Sequence, residues 1–212
     1  MVQASPDTTP SRRPGPRRGE GMPAGPDEVR RAVLDAAAAR FAVAGVGDVT
    51  LRDIAATARV NVGLISRYVG SRDDLIRAVF VDLTEQLLTE IRTDPTGMRG
   101  FDADSVMGRW TRVLTYLVVV DPDTAVEVGS APLRELSGVV TRIYGQDDEA
   151  ARLRIAQLMA SALGWRLFEP YLMAASELDP DSLEQVRGEL TRTHRRLAAT
   201  PLPSPDDPPV RD

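Results

Sequence analysis

Three helix-start signatures crowd into residues 50–74, and they limit the fold more than any other feature of the chain. Thr50 is followed three positions on by Asp53, and Ser71 by Asp74. A hydroxyl and a carboxylate at this spacing can each bond the backbone N–H at the other's position, an acidic version of the capping box. Asn61, between them, is itself a favoured cap residue. Gly45 and Gly47 precede the first signature and Gly70 the last, where helices must stop. The pattern therefore predicts two short helices over 51–58 and 62–69, a tight turn between them, and a long helix from 72 to about 92. Ile54, Ala55 and Ala58 give the first an apolar face. Val60 and Ile65 cover the angle between the pair, and Ala55 is small where two helices must approach closely. Val62, Gly63, Ser66 and Arg67 fall on the opposite side with no apolar reason to be buried. Arg52, Arg59, Arg67 and Arg72 share the segment, supplying the local positive charge a phosphate backbone requires.

The remainder also reads as helix. Asp27 is placed to cap a helix over 28–44 whose stripe is Val29, Val33, Ala36, Ala37 and Phe41. Further helices are expected near 105–120, 123–128, 132–144, 147–168 and 181–198, with Pro122, Pro132 and Pro180 at starts. No alternating run of β-branched residues survives as a strand, so the expected class is all-α. Residues 1–25 form an Arg/Pro-rich stretch without periodicity, expected to be disordered; Arg12, Arg13, Arg17 and Arg18 read as a solvated tail sooner than as a DNA-contacting arm. Residues 201–212 form a second such tail. Between them, 26–80 is expected to be a helix-turn-helix unit and 81–200 a helical body.

Net charge is −5, yet residues 1–79 carry +3 and the rest −8. Local field rather than net charge governs a nucleic-acid contact. Every basic side chain but His194 is arginine, spread so evenly that coding bias explains it better than selection for phosphate contacts. There is no cysteine and a single histidine, so thiolate chemistry is excluded and neither a metal nor a cofactor is expected. No apolar run approaches the ~18 residues of a membrane span, and no secretory leader precedes the first helix; a cytoplasmic, membrane-free protein is the simplest expectation. Nothing resembles a zinc motif, a phosphate-binding glycine loop or a Ser-His-Asp set, so an enzyme is not expected, although a carboxylate pair within the helical body stays open. A helical protein-binding adaptor or a small helical enzyme without a DNA role is the alternative reading.

The run VLDAAAARFAVAGVGDVTLRDIAATARVNVGLISRYVGSRDDLIRAV resembles the DNA-binding region of the TetR family of transcriptional regulators. The spacing from Phe41 through Gly45 to Thr50, Asp53, Ile54 and Ala55 matches, as do Val60, Gly63, Ile65, Tyr68 and the SRDDLI start of the next helix. The resemblance implies a homodimer that binds a palindromic double-stranded DNA operator and, as a repressor, is released by a small-molecule effector. It implies that Val62, Gly63, Leu64, Arg67 and Tyr68 face the major groove. Arg67 would read guanine or hold a phosphate, Tyr68 would bond a phosphate through its hydroxyl, and Leu64 or Val62 would touch a thymine methyl. Thr50 and Arg72 would bracket the backbone, and Arg52 would reach a base edge or a phosphate. The family usually has glycine where Arg59 stands; a left-handed backbone there costs arginine roughly 1 kcal/mol, which leaves room for a different turn. It also more often carries threonine or serine at Leu64, tyrosine at Ser66 and phenylalanine at Val69. In the body, residues 158–172, with ASALGWRLFEPYL, resemble the penultimate helix of one TetR class, which with 183–197 would form the dimer interface. Phe80, Leu87, Trp110, Leu114, Leu117, Val140, Tyr144 and Met159 would line an effector pocket. Arg109 and Arg112 could meet an anionic effector, but surface positions are the plainer expectation for them, as for His194.

Overall fold

The computed structural model describes residues 22–95, 102 and 104–200. The four arginines of the expected N-terminal tail, and the whole expected tail 201–212, lie outside the described residues. Among the described residues the chain is all-α: α1 (Pro26–Ala44), α2 (Leu51–Ala58), α3 (Val62–Tyr68), α4 (Arg72–Thr93), α5 (Val106–Val120), α6 (Pro122–Tyr144), α7 (Asp148–Ala175), a 3₁₀ turn (Pro180–Ser182) and α8 (Leu183–Ala199).

The apolar stripe of α1 is buried as its spacing predicts, with Val33 and Ala37 fully covered. Its start differs from the expectation. Gly25 holds the cap position at φ 93°, and Pro26 takes the first helical position, where no amide donor is needed. Asp27 therefore falls inside the first turn, and its neighbour Glu28 accepts the Ala24 N–H at 2.8 Å.

α4 is the spine. Leu75, Val79, Phe80, Leu83, Leu87 and Ile91 recur every three or four residues and are buried, facing α1 at one end and α5 and α6 further along. Phe80 stacks on Trp110 of α5 with ring centroids 5.7 Å apart, and the Trp110 indole N–H donates to Thr84 Oγ1 at 2.9 Å. α6 crosses this pair closely: a methyl group at Gly129 would lie 3.2 Å from the Phe80 ring. Polar ties fasten the same seams. Arg31 of α1 pairs with Asp82 of α4 at 2.7 Å, and Arg77 of α4 donates to Thr124 and Glu127 of α6 at 2.6 and 2.8 Å.

Two expected helix boundaries are absent. Pro132 does not start a helix; it lies buried inside α6, which runs unbroken from Pro122. α7 continues past Phe168 and through Pro170 to Ala175. An internal proline costs a helix about 3 kcal/mol, and tertiary packing outweighs it in both places. Pro132 lies in the stretch of α6 clamped on α4 and α5. Next to Pro170, Glu169 is tied back to Trp165 and across to Arg187 of α8.

Candidate nucleic-acid interface

α2 is held by the expected reciprocal cap. The Asp53 backbone N–H donates to Thr50 Oγ1 at 3.3 Å, and Thr50 N–H returns to Asp53 Oδ2 at 2.9 Å. The Thr50 hydroxyl, then its amide, hold the Asp53 carboxyl below the usual aspartate range. Ser71 and Asp74 repeat the device at the start of α4, with Asp74 lowered in the same way by the Ser71 hydroxyl and then its amide. Asn61 caps α3 by accepting the Gly63 N–H at 2.8 Å.

The turn between α2 and α3 keeps the left-handed residue that glycine would favour. Arg59 adopts φ 55°, ψ 42°, and Val60 N–H closes back on Ala55 O at 3.0 Å. The room left for a different turn is not taken; arginine bears the strain. Ala55 and Ile65 are buried at the helix crossing. At the end of α3, Gly70 stands at φ 117°, and a methyl group there would meet Asp74 Oδ2 at 2.5 Å. Glycine is thus required twice over, by conformation and by the capping carboxylate.

On α3, Gly63, Ser66 and Arg67 are exposed, while Val62, Leu64 and Tyr68 are half-buried and rest against the core. The Arg67 guanidinium lies 5.4 Å from the centre of the Tyr68 ring, a cation–π contact that orients it without consuming its donors. Thr50 and Arg52 are exposed beside this face. Arg72 is not available in the expected way. Its guanidinium turns inward to the carbonyl oxygens of Val46, Gly47 and Val49 and to the Tyr116 hydroxyl. It fastens the α1–α2 loop and α5 to the start of α4, so the expected phosphate contact gives way to an internal one. Arg30 of α1, missed in the sequence reading, donates to the Tyr68 carbonyl at 3.4 Å and is exposed beside α3. No motif marks it, because it belongs to the polar side of a helix read for its apolar stripe.

A cavity of about 200 Å³ opens among α5, α6, α7 and α8. Leu136, Val139, Val140, Ile155, Leu158 and Met159 give it an apolar wall, with Thr111, Thr191 and His194 among them. Of the eight expected lining residues, Val140, Tyr144 and Met159 reach it. Phe80, Leu87, Trp110, Leu114 and Leu117 do not: they are buried in the core where α4 packs on α5. His194 is not on the surface. It is half-buried on the cavity wall, shares a 3.0 Å hydrogen bond with Ser161 Oγ, and burial lowers its imidazole below the usual range. The contribution of α8 was missed, since Thr191, His194, Arg195 and Ala198 carry no apolar signature.

A separate face of α7 and α8 presents Leu153, Leu167, Phe168, Tyr171 and Leu197 to solvent, Tyr171 at 68% exposure. On α7 these follow the helical repeat, with Gly164 in the same row and open space above it. Among the described residues no helix is long and apolar enough to cross a membrane.

Comparison with known proteins agrees with this geometry. Residues 33–79 match the model for bacterial regulatory proteins of the tetR family. The chain is 33% identical over 168 residues to the HTH-type transcriptional repressor Rv3405c of Mycobacterium tuberculosis, covering 78% of this chain and 87% of that protein. The same figures hold for the HTH-type transcriptional regulator Mb3439c of Mycobacterium bovis. In fold it resembles the crystal structure of a transcriptional regulator, SCO7518, of Streptomyces coelicolor A3(2), with a TM-score of 0.52, 20% identity, and 82% of this chain and 99% of that one covered. With its capped α2–α3 pair, its α4 spine and this likeness to mycobacterial regulators over most of their length, the chain belongs to the TetR family of bacterial regulatory proteins and is a helix-turn-helix DNA-binding transcriptional regulator.

Proposed function

We propose that the protein is a homodimeric repressor that leaves a palindromic operator when a small molecule enters the cavity between α5 and α8. The observation that carries the DNA half is the exposed face of α3. Gly63, Ser66 and Arg67 are presented outward by a helix whose other side is anchored through Ile65. Arg67 reads a guanine edge or holds a phosphate, Val62 and Leu64 offer apolar contact to thymine methyls, and the Tyr68 hydroxyl bonds phosphate. Thr50 and Arg52 set the register on the backbone. Residues 26–80 serve as the DNA-binding unit and 81–200 as the sensing and dimerising body. The naming of the tuberculosis relative as a repressor supports the direction of regulation.

The apolar row on α7 and α8 supports the dimer. A twofold copy packed on Leu167, Phe168 and Tyr171 would bury side chains that otherwise face water, and Gly164 lets the two helices approach closely. Two recognition helices then meet successive major grooves about 34 Å apart. The effector binds best when that spacing is lost, so affinity for the operator falls by linkage.

The test is a gel shift of the protein on its own upstream DNA across a salt series, with and without candidate effectors. A sequence-specific band that weakens steeply as salt rises is the expected result. A protein-binding adaptor or a helical enzyme would give no specific band at any salt concentration.

A further inference from the structure

The far end of α3 is electrically unsuited to a phosphate. The helix stops at Tyr68, and the next two amides, Val69 and Gly70, both return to Ile65 O. Orphan carbonyls gather at such an end and give it partial negative charge. A phosphate drawn toward Tyr68 therefore meets like charge unless a cation stands beside the carbonyl.

Arg30 supplies that cation from α1. Its Nη1 donates to the Tyr68 carbonyl at 3.4 Å. Val29, the residue before it, is buried in the core, so the backbone that carries the guanidinium is fixed. The two neighbouring charges of α1 are engaged elsewhere. Arg31 spends its charge on Asp82 of α4 at 2.7 Å, and Glu28 accepts the Ala24 N–H at 2.8 Å. Among the described residues no carboxylate pairs with Arg30, and its side chain is exposed. A guanidinium carries five N–H donors in a planar fork, of which the Tyr68 carbonyl takes one. With Arg67 lying 5.4 Å from the centre of the Tyr68 ring, Tyr68 has one cation at its ring and another at its carbonyl.

We propose that Arg30 bridges the carbonyl end of α3 and a backbone phosphate of the operator, extending the DNA interface onto α1. This rests on reading α3 as the helix that enters the major groove, and it adds a residue from outside the helix-turn-helix segment. One edge of the guanidinium neutralises the helix end, and the rest of the fork grips the phosphate, a charge-assisted contact. Such a contact fixes register and carries no base preference, so it strengthens specific and non-specific binding alike.

The experiment is fluorescence-anisotropy titration of the full-length protein on its own upstream DNA and on an unrelated duplex, across a salt series. Arg30→Met is expected to weaken binding to both duplexes about tenfold at low salt, and to flatten the plot of log affinity against log salt by about one for each protomer bound. Arg30→Lys should keep the parent's slope, because an ammonium still neutralises a phosphate. Arg30→Gln, which retains a donor for the Tyr68 carbonyl but no charge, gives the same reading if Arg30→Met melts early by circular dichroism. A parental slope in both neutral variants overturns the phosphate bridge. Arg67→Ala separates the two readings: if it weakens operator binding while the neutral Arg30 variants keep the parental slope, α3 stands and Arg30 alone is refuted. If the parent binds neither duplex in a salt-dependent way, the reading of α3 falls and the bridge falls with it.

Discussion

Arg67 and Arg72 carry the same charge on the same short segment, and their surroundings give them opposite work. Arg67 rests on the Tyr68 ring with its donors facing outward, whereas Arg72 spends its donors on three loop carbonyls. Arg67→Ala is therefore expected to weaken specific operator binding roughly 10- to 100-fold with the thermal midpoint unchanged. Arg72→Ala should instead cost roughly 2 kcal/mol of stability in urea titration, with the salt dependence of DNA binding unaltered, since no phosphate contact is lost. A steeply altered salt slope in the Arg72 variant would return it to the interface. Arg59 offers a cleaner measurement. Its left-handed backbone, at φ 55°, strains any residue with a Cβ. Arg59→Gly should gain about 1 kcal/mol, and a loss of stability would mean that the arginine side chain contributes more than the strain removes. Sequence spacing located all three arginines on their elements. It could not tell where Arg72 points, because that is decided by carbonyls 23 to 26 residues away.

Helix starts were the most legible elements, since a cap is a short-range arrangement written in four consecutive residues. The Thr50–Asp53 and Ser71–Asp74 boxes and the Asn61 cap all form as their spacing predicts. Asp27 failed as a cap for an equally local reason: Gly25 and Pro26 set the start two residues earlier. Interior prolines were misread because propensity alone treats them as breaks, while the packing that sustains α6 through Pro132 comes from distant helices. The boxes also set a pH dependence. Asp53 and Asp74 titrate below their unfolded value of ~3.9, so their stabilisation is complete above that value and is lost as pH falls through the lowered folded ones. The double variant Asp53→Asn, Asp74→Asn should show a flatter decline in melting temperature below about pH 4.5 than the parent. An identical acid limb in the two proteins would remove the capping carboxylates as its cause.

At the scale of the whole molecule, neither the face proposed for assembly nor the hollow proposed for sensing was fully readable in advance. The small and apolar residues of 158–172 pointed to the proposed face, but a quarter of the hollow's lining belongs to α8, as threonine, histidine, arginine and alanine. The pair Leu167→Glu, Phe168→Glu is expected to yield monomers by sedimentation and to abolish operator binding while the helical signal is kept. Ala162→Phe, which fills the cavity, should bind operator normally yet cease to respond to any effector that releases the parent. A response that survives the filling would place the trigger elsewhere. Such a trigger must act across α4, whose 22 residues span ~33 Å. At the near end of that rod Arg72 rivets the α1–α2 loop, and little more than a turn further on Arg77 rivets α6. A swing of some five degrees at the far end would displace the reading head by ~3 Å over such a length. Because both joints are pinned, the linkage has no backlash: a modest tilt in the body arrives at the double helix undiminished.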